Sequence, residues 1–195
     1  VEFEIGKAAG AAAVMCVAGG YQPRDILADE TRLRRLQHIL LQDDTPLFWN
    51  EDCGWDTDTF DAVQWACLLE LIDARERTFE PDQPLTRQDA AIAAAKYSGR
   101  DLAECLCAML YTDIDYKNLD LVEAIAILSQ EGGLYWIESE QFEPEKPVTE
   151  AQFIDLLKSV DPDVAAAGGD TALTRGRAAE LMYPGLMRRF GLDAD

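Results

Sequence analysis

Eight residues recur in this chain at a fixed distance: Phe79-Glu80-Pro81-Asp82-Gln83-Pro84-Leu85-Thr86 and, 63 positions later, Phe142-Glu143-Pro144-Glu145-Lys146-Pro147-Val148-Thr149. Five of the eight positions are identical, and two more exchange Asp for Glu and Leu for Val. A period of this length signals a supersecondary unit that cannot cover its apolar face alone and buries it against a neighbouring copy. The repeat therefore constrains the fold before any single residue does.

The same offset pairs Leu47-Phe48 with Leu110-Tyr111 and Asn50 with Asp113, which extends the unit upstream of the proline loop. Between these landmarks Phe60, Val63, Cys67 and Leu71 step by three or four, as do Leu121, Ile125 and Leu128, so each copy carries a helix there. Gly132-Gly133 closes that helix in the later copy, and the Pro-x-x-Pro loop imposes an extended approach to a second helix starting near Thr86 or Thr149. Leu173-Thr174-Arg175 opens a further helix with Ala178, Leu181, Met182 and Leu186 on one face, and Pro184 is expected to kink it. Towards the N-terminus the periodicity predicts helices near residues 4–18 and 24–42. No stretch alternates as a strand does. The expected fold is all-α, one domain over 1–195. It divides into a degenerate first unit (1–46), a second unit (47–109), a third (110–172) and a C-terminal helix (173–195).

The junction between loop and second helix is explained in part by helix capping. Thr86 with Asp89, and Thr149 with Gln152, have the spacing of a capping box, in which the N-cap oxygen takes a free backbone N–H and the third residue reaches back. Val148 and Phe153 fit a hydrophobic staple around the same turn. Capping does not ask for Arg87, because a cation at the first helical position opposes the helix dipole, and Arg175 after Thr174 repeats the anomaly. Guanidinium groups beside free helix N–H groups could form a pocket for a carboxylate or phosphate, with Thr86, Arg87 and Arg175 as its residues; a salt-bridged or solvated arginine is the alternative. Trp49 and Trp55, in a loop, could add faces on which a sugar ring stacks, whereas Trp65 sits among apolar helical neighbours and reads as core.

The string Phe-x-Pro-x-x-Pro-Leu-Thr-Arg-x-Asp, with an aromatic-x-Asp element and a helix before it, resembles the S-layer homology domain over about residues 47–160. Thr86-Arg87-Gln88-Asp89 is similar to the family's Thr-Arg-Ala-Glu motif, and Thr174-Arg175-Gly176-Arg177 is so more loosely. The resemblance implies a pseudo-threefold helical assembly of helix-loop-helix units with extended proline-containing loops. It also implies a non-catalytic module that anchors exported bacterial proteins at the cell surface by binding pyruvylated secondary cell wall polysaccharide, with a ligand-facing role for Arg87 and Arg175. Three departures stand out: Glu150 replaces the arginine after Thr149, Arg177 replaces the motif acid, and the N-terminal unit has no Thr-Arg. A protein-interaction scaffold that kept the fold and changed its partner is the alternative the residues leave open. An extracellular location would require an export signal outside the given residues.

Composition narrows the partners further. A formal charge of −20 repels phosphate backbones and anionic lipid, so neither nucleic acid nor an anionic membrane is an expected partner. No apolar run reaches membrane-spanning length; the longest candidate, Ala8 to Ala18, is rich in small residues and broken by Gly10. Five cysteines without a C-x-x-C spacing argue against a zinc site or a disulfide framework. Asp113, Asp115, Asn118 and Asp120 are crowded, but Asn118 and Ala124 stand where a calcium loop starting at Asp113 would need Gly and Glu. His38 is the one histidine and no phosphate-cradling glycine loop occurs, so no catalytic residue, metal or cofactor is expected.

Overall fold

The computed structural model describes residues 2–74, 77–100 and 111–193. Its regular structure is helical: α1 (Glu2–Gly19), α2 (Pro23–Leu27), α3 (Glu30–Gln42), α4 (Phe60–Leu68), α5 (Arg87–Ser98), α6 (Leu119–Gln130), α7 (Glu150–Val160) and α8 (Arg175–Phe190). Among the described residues extended backbone pairs only as isolated bridges, between Pro84 and Thr174, Thr86 and Pro147, and Thr149 and Ala172. Cys105, Cys107 and Leu110 lie outside the described residues.

The helix expected over residues 24–42 is two helices. Asp29 adopts an extended conformation, φ −127° and ψ 110°, and its carboxylate accepts the Arg32 N–H, so a new N-cap interrupts the pattern and α3 starts afresh. Pro184 does not end α8, which runs from Arg175 to Phe190 through it. α1 carries its large apolar residues Phe3, Ile5, Val14 and Val17 on the outside, and packs on α2 and α3 through its other side.

The two copies of the unit are shifted from the register that a constant offset of 63 predicts. Asp52 Oδ1 and Oδ2 accept the N–H groups of Phe79 (2.8 Å) and Glu80 (2.7 Å), and Asp113 does the same for Phe142 (2.6 Å) and Glu143 (2.7 Å). The equivalent of Asp113 is thus Asp52, not Asn50. The loop between this aspartate and the following helix is longer in the earlier copy, and the proline loops regain the constant spacing only downstream. At the helix ends Glu70 holds the left-handed conformation (φ 53°) that Gly132 (φ 72°) holds in the later copy, an ordinary task for glycine and an unfavourable one for glutamate.

The core is organised by a closed ring of main-chain hydrogen bonds. Leu85 N donates to Leu173 O (2.8 Å), Leu173 N to Val148 O (2.9 Å), and Val148 N to Leu85 O (3.1 Å). Each donor residue stands just before the N-cap threonine of α5, α8 or α7, and all three side chains are fully buried together with Phe79, Phe142 and Phe153. α5 is lined with buried alanines (Ala90, Ala91, Ala93, Ala94, Ala95), so it can lie close against both α6 and α7. The third position in the ring is filled by the stretch before α8; α1 to α3 contribute none of its bonds.

Gln64 fastens the earlier loop to α4. Its buried side chain accepts from Leu47 N (2.8 Å) and Phe48 N (2.7 Å) and donates to Phe48 O (2.8 Å). Gln64→Leu keeps the volume but orphans three main-chain groups, and is expected to reduce the unfolding free energy by about 2–4 kcal/mol in urea titration.

Candidate functional site

The three loop-to-helix junctions are built alike. Thr86, Thr149 and Thr174 are extended N-caps whose hydroxyl oxygens accept from Asp89 N (3.2 Å), Gln152 N (3.2 Å) and Arg177 N (3.3 Å). The reciprocal bond of a full capping box forms only at Thr149, where Gln152 Oε1 accepts from Thr149 N at 3.0 Å. The first two N–H groups of each helix then donate to the neighbouring loop. Arg87 and Gln88 bind Lys146 O (2.8 Å) and Pro144 O (3.0 Å); Glu150 and Ala151 bind Thr171 O (3.0 Å) and Gly169 O (3.1 Å); Arg175 and Gly176 bind Gln83 O (2.9 Å) and Pro81 O (2.8 Å). The donors that a helix normally offers to an anion are occupied at every junction.

The arginine side chains are occupied as well. Arg87 is only 5% exposed; its Nη1 donates to Phe142 O and pairs with Glu143 at 3.2 Å, and its guanidinium lies 5.0 Å from the Trp136 ring centroid. Arg175, 3% exposed, donates through Nε to Phe79 O (2.7 Å) and through Nη2 to Asp73 O, and lies 5.2 Å from the Phe79 ring centroid. Each guanidinium leaves its own helix dipole and grips the Phe-Glu-Pro turn of the next loop. That explains a cation at the first helical position. Glu150 holds this position on α7, and the loop facing it has no Phe-Glu-Pro; its Oε1 accepts from Arg177 Nε at 2.9 Å instead. Thr86, Arg87 and Arg175 all bind protein main chain, and Arg87 Nε, a junction donor left without a partner among the described residues, is buried away from solvent, so the expected anion pocket does not open to the surface.

The aspartates complete the arrangement. Asp52 and Asp113 hold the Phe-Glu peptide from its N–H side while Arg175 and Arg87 hold the phenylalanine carbonyl, which keeps Glu80 (φ 57°) and Glu143 (φ 53°) in a conformation unusual for L-residues. Lys146 at 2.8 Å, and then Arg87, hold the Glu143 carboxyl below its ordinary range. Asp113 therefore has a main-chain task inside the acidic loop, and among the described residues no group of three His, Cys, Asp or Glu side chains is placed to hold a metal. Asp113→Ala should remove two charge-assisted bonds and cost about 2–4 kcal/mol in chemical denaturation.

Trp49 and Trp55 are the site candidates that remain accessible, at 67% and 69% exposure. Trp55 lines a cleft of about 370 Å³ where the end of α3, the start of α4 and α8 meet, with Gln42, Asp44, Asp58, Asp61, Glu180 and Tyr183. A second cleft, of about 470 Å³, lies between α5 and α6 and has Phe48, Asp89, Lys96 and Asp120 in its walls, Lys96 pairing with Asp120 at 3.4 Å. Neither arginine lines either cleft. The sequence marked Trp55 but gave no sign of its neighbours from α3 and α8, which arrive from distant stretches of chain.

No family model and no curated protein matches this chain.

Proposed function

We propose that this chain is a non-catalytic binding module, a pseudo-threefold assembly of S-layer-homology-like units at the bacterial cell surface, and that its partner is another protein. One observation carries the reading: the helix N–H groups at the junctions are spent on bonds between units, and both guanidinium groups are buried and bonded to neighbouring loops, with the buried Arg87 Nε unpartnered among the described residues, leaving no solvent-facing basic site there for an anionic glycan. The ring through Leu85, Val148 and Leu173 supports the three-unit assembly, with α8 and the loop before it as the third member. Burial pushes the Cys53 and Cys67 thiols up to about 11, which makes both poor nucleophiles at neutral pH and accords with a module that performs no chemistry.

The exposure of Trp49 and Trp55 favours a second reading, in which a cell wall polysaccharide stacks on indole faces. Co-sedimentation with purified bacterial cell wall separates the two. The protein is expected to stay in the supernatant, with Arg87→Ala and Arg175→Ala no different in partition. A wild-type protein that pellets, and that Trp55→Ala or Trp49→Ala releases, would replace the protein-partner reading by the glycan one.

A further inference from the structure

The Trp55 cleft differs from its surroundings in how its charges are matched. At its rim Asp43 has Lys7 at 2.9 Å, and in its wall Glu180 has Arg177 at 2.9 Å. Asp58 and Asp61 have no ion-pair partner among the described residues, and Asp44 shares the Lys7 field with Asp43 without pairing directly, although all three line the same cleft. Among the described residues Asp61 is held by neutral donors: Gln42 Nε2 at 3.0 Å and the Tyr183 hydroxyl, whose pKa burial and this carboxylate push up to about 12. Asp44 sits just past the C-terminus of α3, where the helix dipole is negative, and projects from left-handed backbone (φ 52°). Trp55 lines the same cleft with most of its surface in water.

We propose that this cleft is a docking site for a basic segment of a partner protein, with a lysine or arginine side chain seated between the Trp55 indole and the carboxylates of Asp44, Asp58 and Asp61. The inference rests on the protein-partner reading above and names the chemistry of the partner. Charge complementarity selects the occupant. A neutral sugar could stack on Trp55 but would leave the negative charge of the cleft unmatched, whereas a cation offsets that charge and gains the attraction of the indole face. The cleft is wide enough for one such side chain and its stem, and α4 and α8, packed together, give it rigid walls. The overall charge of −20 would speed the approach of a basic segment without deciding where it binds.

The test is a titration of the whole chain with the peptide acetyl-Gly-Lys-Gly-Arg-Gly-Lys-Gly-amide, followed through the indole N–H signals in nitrogen-15 NMR. The Trp55 signal is expected to move saturably. Trp55→Ala should raise Kd about tenfold and Asp58→Asn about fivefold, while Asp115→Asn, an exposed carboxylate elsewhere, should change it less than about twofold. Equal losses for Asp58→Asn and Asp115→Asn, or a Trp55 signal that stays still as peptide binds, would reduce the effect to general attraction by an acidic surface and overturn the site. Titration with a neutral oligosaccharide, chitotetraose, is the second arm: a Trp55 response to it and none to the peptide would overturn the basic partner. Sedimentation with cell wall decides the parent reading separately, so a silent cleft in a protein that stays in the supernatant defeats this inference alone.

Discussion

Arg175→Ala is expected to lower the unfolding free energy by about 3–5 kcal/mol, and the thermal midpoint by about 10 °C. The guanidinium is buried, and its removal leaves the carbonyls of Phe79 and Asp73 without their donor at the contact between α8 and the loop before α5. Arg175→Lys should recover little, because one ammonium on a flexible stem cannot serve two carbonyls in a fixed fork and does not lie flat against the Phe79 ring. Arg87→Ala belongs to the same class through Phe142 O and Glu143. The corresponding change on the third helix, Glu150→Ala, removes only an ion pair to the half-exposed Arg177 and should cost less than about 1 kcal/mol. Differential scanning calorimetry on these variants checks the assignment: equal losses for Arg175→Ala and Glu150→Ala would show that the arginines do not act as struts.

Gly185→Ala should be nearly as damaging, by about 2–4 kcal/mol, although it adds a single methyl group. At this point on α8 a Cβ would fall on the Tyr97 hydroxyl and come within 2.8 Å of its Cζ and 3.1 Å of Asp161 Oδ2. The space is needed because Tyr97 at the end of α5 donates to Asp161, just past α7, at 2.5 Å, while Arg188 of α8 reaches the same carboxylate at 3.1 Å and Arg189 donates to Tyr97 O at 2.7 Å. One cluster thus ties together the C-terminal ends of the three helices whose N-termini are joined by the ring. In a double-mutant cycle with Tyr97→Phe the two costs should fall short of their sum by about 1 kcal/mol, since removing the hydroxyl relieves the nearest clash. Strict additivity in urea denaturation would mean that the alanine methyl and the tyrosine do not meet.

The helices were legible because their signals are local. The steps of three or four from Phe60 and from Leu121, the threonine caps and Gly132 act within one or two turns, and α5 to α8 stand where those signals place them, while α4 starts at Phe60 but stops at Leu68, short of Leu71. The anomaly of Arg87 and Arg175 was legible too, as a cation placed against its helix dipole, but its resolution was not. The partner of each arginine is a carbonyl 55 or 96 residues away, and nothing local says that Phe142 O or Phe79 O will arrive there. The register between Asp52 and Asp113 was missed because a constant offset cannot follow a change in loop length, whereas the Phe-Glu N–H groups that these carboxylates hold can be matched only in space.

By itself, then, the chain determined its helices, its proline-stiffened turns and the residues that cap them, since each depends on neighbours a few positions apart. Which helix ends meet, which arginines become struts, and which carboxylates share a cleft with Trp55 were decided only in the tertiary structure. Hydrogen bonds and charge pairing act over a few ångströms, and in a folded chain those ångströms are bridged by packing and not by order in sequence.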